Sequence, residues 1–143
     1  MVATKVTFYD IPRDHAFPLV AKLAGAAWER DKRLLVRCGD KDEAQALDDY
    51  LWTFREDAFL PHEVGDGVLK DPRAKVVLVT SDSKPIEADV LVQLAPADLA
   101  FATSFAHVID LVDHADDARL TASRQRFRAW SDAGTRPELK TKV

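Results

Sequence analysis

Four short runs of nearly uninterrupted aliphatic residues constrain this chain more than any other feature: Leu34-Leu-Val-Arg-Cys38, Val76-Val-Leu-Val-Thr80, Asp89-Val-Leu-Val-Gln-Leu94 and His107-Val-Ile-Asp-Leu-Val112. A strand wetted on one face alternates apolar and polar residues. These runs do not, so each must be covered on both faces, as in the interior of a parallel sheet. Lys5-Val-Thr-Phe-Tyr-Asp10 adds a further strand ahead of them, rich in β-branched and aromatic residues.

Helical periodicity fills the intervals. Phe17, Val20, Ala24, Ala27 and Trp28 mark one face of a helix that Asp14 is placed to cap and that tolerates Pro18 near its start. Asp40-Lys-Asp-Glu43 has capping-box spacing and opens a second helix with an Ala44, Leu47, Leu51 and Phe54 stripe. Residues 55–75, with Pro61, Gly65, Gly67 and Pro72, read as an irregular connection. A polar turn with Pro85 separates the next two strands, and Phe101–Phe105 forms a short helix or turn. Asp116 or Asp117 caps a last helix running to about Asp132. The order is β-α-β-α-loop-β-β-(α)-β-α, which makes a three-layer α/β domain with a mainly parallel sheet over residues 1–134. Residues 135–143 form a polar C-terminal tail, expected to fray.

Folds of this kind hold ligands at the carboxyl ends of their strands, and nucleotides there need glycines so that backbone amides can approach phosphate. The turn after the first strand, Asp10-Ile-Pro-Arg-Asp-His15, has none, and neither G-x-G-x-x-G nor G-x-x-x-x-G-K-[ST] occurs. Cys38 is the only cysteine, which excludes an internal disulfide or a multi-cysteine metal site, suits a reducing cytoplasm, and reads as a core residue at a strand end. His107, Asp110, Asp113 and His114 are close in sequence, but positions 107, 110 and 113 do not share one strand face, and Asp116 and Asp117 are ordinary helix caps. His15 and His62 lack a serine or cysteine at a recognisable local spacing. No catalytic residue, metal site or cofactor is expected. The N-terminus has no signal-peptide pattern and no apolar run approaches the ~20 residues of a membrane span, so a cytoplasmic protein is expected.

Charge is unevenly spread. The net value is −4, yet residues 118–143 carry +5 and residues 1–117 carry −9. An acidic body argues against tight direct binding of nucleic acid.

Two surface features remain. Trp52 lies more than about 100° from the centre of its helix's apolar stripe, with Phe59 and Pro61 just beyond. It is either covered by the long loop or an aromatic anchor for a partner. On the last helix Leu120, Ser123, Phe127 and Trp130 form the inward stripe, while Arg124 and Arg128 stand at i and i+4 on one flank with no acid between Asp117 and Asp132. The plain alternative is a solvated cationic face. The functional one is a grip on a carboxylate and an apolar side chain beside Val112, as a peptide C-terminus requires.

Thr7-Phe-Tyr9, Lys32-Arg-Leu-Leu-Val36 with Cys38, and Asp42 through Ala46-Leu-Asp48 to Leu51-Trp52 open a longer pattern. It continues through Phe59-Leu-Pro-His62, Asp89-Val-Leu-Val92, Phe105, Val108-Ile-Asp110, Val112 and Arg124-Gln-Arg-Phe-Arg-Ala-Trp130. In this order and spacing the chain resembles the chi subunit of bacterial DNA polymerase III, over about residues 5–134. The resemblance implies a Rossmann-like fold without catalytic activity. It also implies two partners: the acidic C-terminal tail of single-stranded DNA-binding protein, at Val112, Arg124, Phe127 and Arg128, and the psi subunit that links chi to the clamp loader, at Trp52, Phe59 and Pro61. In some members of the family a helicase competes for the psi surface. Phe127 stands where a tyrosine is also familiar, and residues 63–88 fit only loosely. The rival from the residues alone is a small nucleotide-using enzyme on the same fold.

Overall fold

The computed structural model describes residues 4–54, 62–64 and 74–141. Its strands are β1 (Lys5–Tyr9), β2 (Leu34–Arg37), β3 (His62–Val64), β4 (Val76–Val79), β5 (Val90–Gln93), β6 (His107–Leu111) and β7 (Glu138–Lys140). Its helices are α1 (Ala16–Glu29), α2 (Lys41–Phe54), α3 (Leu99–Ala102) and α4 (Asp117–Asp132). Among the described residues the strands form one sheet in the order β3-β4-β2-β5-β6-β1-β7, with every neighbouring pair parallel.

The unalternating runs are interior strands, as their composition requires. Leu34, Val36, Val76, Leu78, Val92, Ile109 and Leu111 point to one face, where α1 and α2 cover them with Leu19, Val20, Ala24, Ala44, Leu47 and Leu51. Leu35, Val77, Val79, Leu91 and Val108 point to the other, under Ala102, Phe105 and Trp130 from the α3–α4 side. The link from β4 to β5 has no helix. It carries Ile86 into this second cluster instead.

Local signals set the helix ends. Asp40 Oδ1 accepts from the Glu43 N–H at 2.8 Å, and Glu43 Oε1 accepts from the Gly39 N–H at 2.9 Å, a reciprocal cap one residue wider than the usual box. Asp116 Oδ1 caps α4 through the Arg119 N–H at 2.8 Å, and Gly134, with φ of 95°, ends it in the left-handed conformation glycine favours.

Four expectations need correction. Asp14 does not cap α1: it lies inside a 3₁₀ turn, Arg13–His15, and the helix begins at Ala16 without a side-chain cap. Trp28 is 44% exposed, because Ala27, one residue and about 100° of rotation away, takes the inward position. The connection after α2 is not wholly irregular, since His62–Val64 pairs with β4 at the sheet edge. The tail does not simply fray. Glu138–Lys140 pairs with β1 as the opposite edge strand, supplying partners to backbone groups that β1 would otherwise leave open. The remainder of 55–75, including Phe59 and Pro61, lies outside the described residues.

Candidate peptide-binding site

α4 anchors a cavity that lies against the ends of β1 and β6. Trp130 is 2% exposed beneath the helix, and the Phe127 ring meets buried Phe8 of β1 edge-on at 5.1 Å between centroids. Arg126 reaches inward to Asp110 of β6, with Nε 2.8 Å from Oδ2 and Nη2 3.2 Å from Oδ1. Asp110 also accepts from Gln93 Nε2 at 3.1 Å and from the Leu111 N–H at 2.7 Å. Burial pushes the Asp110 carboxyl above the ordinary carboxylate range, and the Arg126 contact opposes that shift. Ser123 Oγ accepts from the Asp113 N–H at 2.9 Å, tying the β6–α4 loop to the helix. These contacts fix the rotation of α4, so residues 120, 123, 124 and 127 face one side.

On that side lies a cavity of about 350 Å³, bounded by the ends of β1 and β6, the β6–α4 loop, α4 and β7. Its walls are mostly apolar: Phe8, Val112, Leu120, Phe127 and Leu139. Its charged or titratable members are Arg124, Asp10 and His114. Val112 N donates to Tyr9 O at 3.0 Å, which holds the end of β6 against β1 as the cavity floor. The structure therefore brings Val112, Arg124 and Phe127 together. Arg128 is exposed on the next turn of α4 and is not part of this lining. Among the described residues neither Arg124 nor Arg128 has a carboxylate partner, whereas Arg119 lies 3.6 Å from Asp113 and Arg126 is engaged with Asp110. Trp52, on the last turn of α2, is 52% exposed.

The carboxyl rim of the sheet, where this architecture usually holds nucleotides, contains a separate cleft of about 380 Å³. The groups that would cradle phosphate there are already engaged. Asp40 and Glu43 carboxylates take amides at the start of α2, Arg13 pairs with Glu43 at 2.9 Å, and Arg126 pairs with Asp110. The His107–His114 segment does not converge either. His107 Nε2 lies 3.0 Å from Thr7 Oγ1, Asp110 points to Arg126, and His114 Nε2 lies 2.7 Å from Asp10 Oδ1. Among the described residues no three His, Cys, Asp or Glu side chains gather as metal ligands, and no helix is long and apolar enough to cross a membrane.

Sequence reasoning missed Arg126, Asp10, His114 and Leu139. One signal was available: an aspartate in the middle of an apolar strand demands a buried counter-charge.

A family model described as DNA polymerase III chi subunit, HolC, matches residues 3–138. The chain is 30% identical over 134 residues to the DNA polymerase III subunit chi of Pseudomonas aeruginosa, covering 92% of both chains. It is 32% identical over 117 residues to that of Escherichia coli, covering 81% of this chain and 78% of the relative. With the Haemophilus influenzae protein of the same name it shares 26% over 110 residues, 77% of this chain and 76% of the other. The fold also resembles the C-terminal domain of the DEAD-box protein Dbp5, with a TM-score of 0.65 over 96% of this chain and 91% of that one, at 16% identity. The chain belongs to the DNA polymerase III chi subunit family.

Proposed function

We propose that this accessory subunit is a non-catalytic bridge in the cytoplasm. It binds the acidic C-terminal tail of single-stranded DNA-binding protein in the Val112–Arg124–Phe127 cavity, with Arg128 on the adjacent turn as a second cation. Through Trp52, Phe59 and Pro61 it joins the psi subunit and so the clamp loader, and a helicase is the alternative occupant of that surface. The observation that carries the reading is the juxtaposition of an apolar cavity large enough for an aromatic side chain with an arginine that forms no ion pair with any acid of the described residues. A peptide ending in an aromatic residue presents one apolar ring and a free carboxylate, which those two elements match. The exposed Trp52, more than 50% open on α2, supports a separate aromatic contact for the second partner.

Titration with a labelled acidic peptide ending in phenylalanine, alongside a mononucleotide, tests the reading. Saturable binding of the peptide and none of the nucleotide is expected. The reverse would replace it with the nucleotide-using alternative. Trp52→Ala is expected to abolish co-purification with psi while leaving peptide binding intact, and equal loss of both in a folded variant would show that the two surfaces are one.

A further inference from the structure

The cavity holds a carboxylate where an anionic ligand is to bind. Asp10 lies just beyond β1, and its Oδ1 is 2.7 Å from Nε2 of His114 in the β6–α4 loop. Both side chains line the cavity with Arg124, and both keep access to water, at 53% for His114 and 36% for Asp10. We infer that Asp10 and His114 form a charge-reading pair that makes capture of a peptide carboxylate depend on the protonation of His114. The inference rests on the tail-binding reading of this cavity.

The electrostatics are simple. A carboxylate only accepts, so Nε2 carries the proton in this contact whatever the charge of the ring. With the imidazole neutral, the pair is −1, which opposes the attraction of Arg124 for an incoming carboxylate. With the imidazolium, the pair is neutral and Arg124 acts unopposed. Histidine is the side chain whose charge changes between pH 5 and 8. The other charges nearby are accounted for. Asp113, in the same loop, accepts from the Ala115 N–H and lies near Arg119. Asp116 caps α4. On β7 the Lys140 carbonyl accepts from the Asp10 N–H, fixing the Asp10 backbone independently of its side chain, while the Glu138 and Lys140 residues are exposed on the edge strand. Proton and anionic ligand therefore favour each other, and by linkage the bound peptide must raise the proton affinity of His114 by the factor through which protonation raises peptide affinity.

The test is fluorescence polarisation of an acidic peptide with a free C-terminal phenylalanine, from pH 8 to pH 5.5 at fixed ionic strength, a span over which ordinary peptide carboxylates stay ionised. Wild-type affinity is expected to rise about fivefold as pH falls, the size of one screened charge at close range. Asp10→Asn keeps an oxygen acceptor for His114 and is expected to bind at pH 8 as tightly as wild type does at pH 5.5, and to tighten further as pH falls because His114 still gains its charge. His114→Gln is expected to be flat at the weak limit. In the NMR titration of wild-type protein, the His114 ring is expected to titrate at higher pH with peptide bound. A wild-type profile that is flat while binding is intact, an Asp10→Asn protein that binds no more tightly than wild type at pH 8, or a His114→Gln profile that keeps the wild-type slope overturns the pair but leaves the cavity as the peptide site. Absence of saturable peptide binding by wild type at every pH overturns both.

Discussion

Arg126 and Asp110 are joined by two contacts, 2.8 and 3.2 Å, between a helix and a carboxylate whose residue is 1% exposed. A guanidinium fork on a buried carboxylate is worth little against an apolar pair of the same shape, but losing one partner strands the other. Arg126→Ala is therefore expected to cost about 3–5 kcal/mol in urea denaturation, the range for an orphaned buried charge. Asp110→Asn with Arg126→Ala should recover part of that loss, since an amide tolerates burial better than a carboxylate. An Arg126→Ala protein as stable as wild type would show that the pair does not hold α4 on the sheet.

His107 gives the fold a pH dependence of its own. Burial, then the charges of Lys5 and Lys140, push its imidazole below the ordinary value of 6.5. The unfolded chain then binds the proton more readily than the folded one, so stability is complete above about pH 6.5 and falls as pH drops toward the folded-state value. Thermal unfolding between pH 7.5 and 5 should show this decline, and His107→Gln should reduce its slope. If the variant melts with the same pH slope as wild type, the decline belongs to other groups.

Binding of bare single-stranded DNA is expected to be weak at physiological salt, because a body of −9 repels the phosphate backbone and the +5 C-terminal segment has few interleaved aromatics to stack bases. Electrophoretic mobility shifts on DNA with and without coating protein test this. Association should appear on the coated strand and vanish when the coating protein's tail is removed. Tight binding to naked DNA would show that the basic segment reads the backbone directly.

How much of this was legible depends on burial. Runs such as Val76–Val79 and Leu34–Arg37 are buried on both faces, and that leaves a composition no edge strand has. His62–Val64 and Glu138–Lys140 are three-residue edge strands, too short for any periodicity to separate them from loop, so the sequence pattern shows two strands fewer than the described sheet has. At the cavity, Arg124, Phe127 and Val112 were visible through helix spacing and family resemblance. Asp10 and His114 were not, because they are 104 residues apart and meet only because β1 pairs with β6. Arg126 was hidden among four arginines of one helix. Nothing local distinguishes it from Arg124 until the rotation of α4 is known, and the buried Trp130 and Ser123 set that rotation.

Three of the four arginines of α4 supply the sharpest prediction, since the helix presents each of them in a different situation. Arg124 lines the cavity, Arg128 is exposed one turn on, and Arg119 lies on the other flank beside Asp113 and Asp116. Removing a charged hydrogen bond to a ligand costs about 1–3 kcal/mol, so Arg124→Ala should weaken the acidic phenylalanine-ended peptide by roughly tenfold or more in calorimetry. Arg128→Ala should cost less, because the residue is outside the cavity and its contact is screened by salt. Arg128→Lys should regain nearly all affinity if only the charge matters and less if the contact is a two-pronged one. Arg119→Ala should change little, because its charge is shared with two aspartates away from the cavity. Equal losses for Arg119→Ala and Arg124→Ala would mean that the peptide senses a diffuse basic helix, and the cavity would then have no part in its recognition.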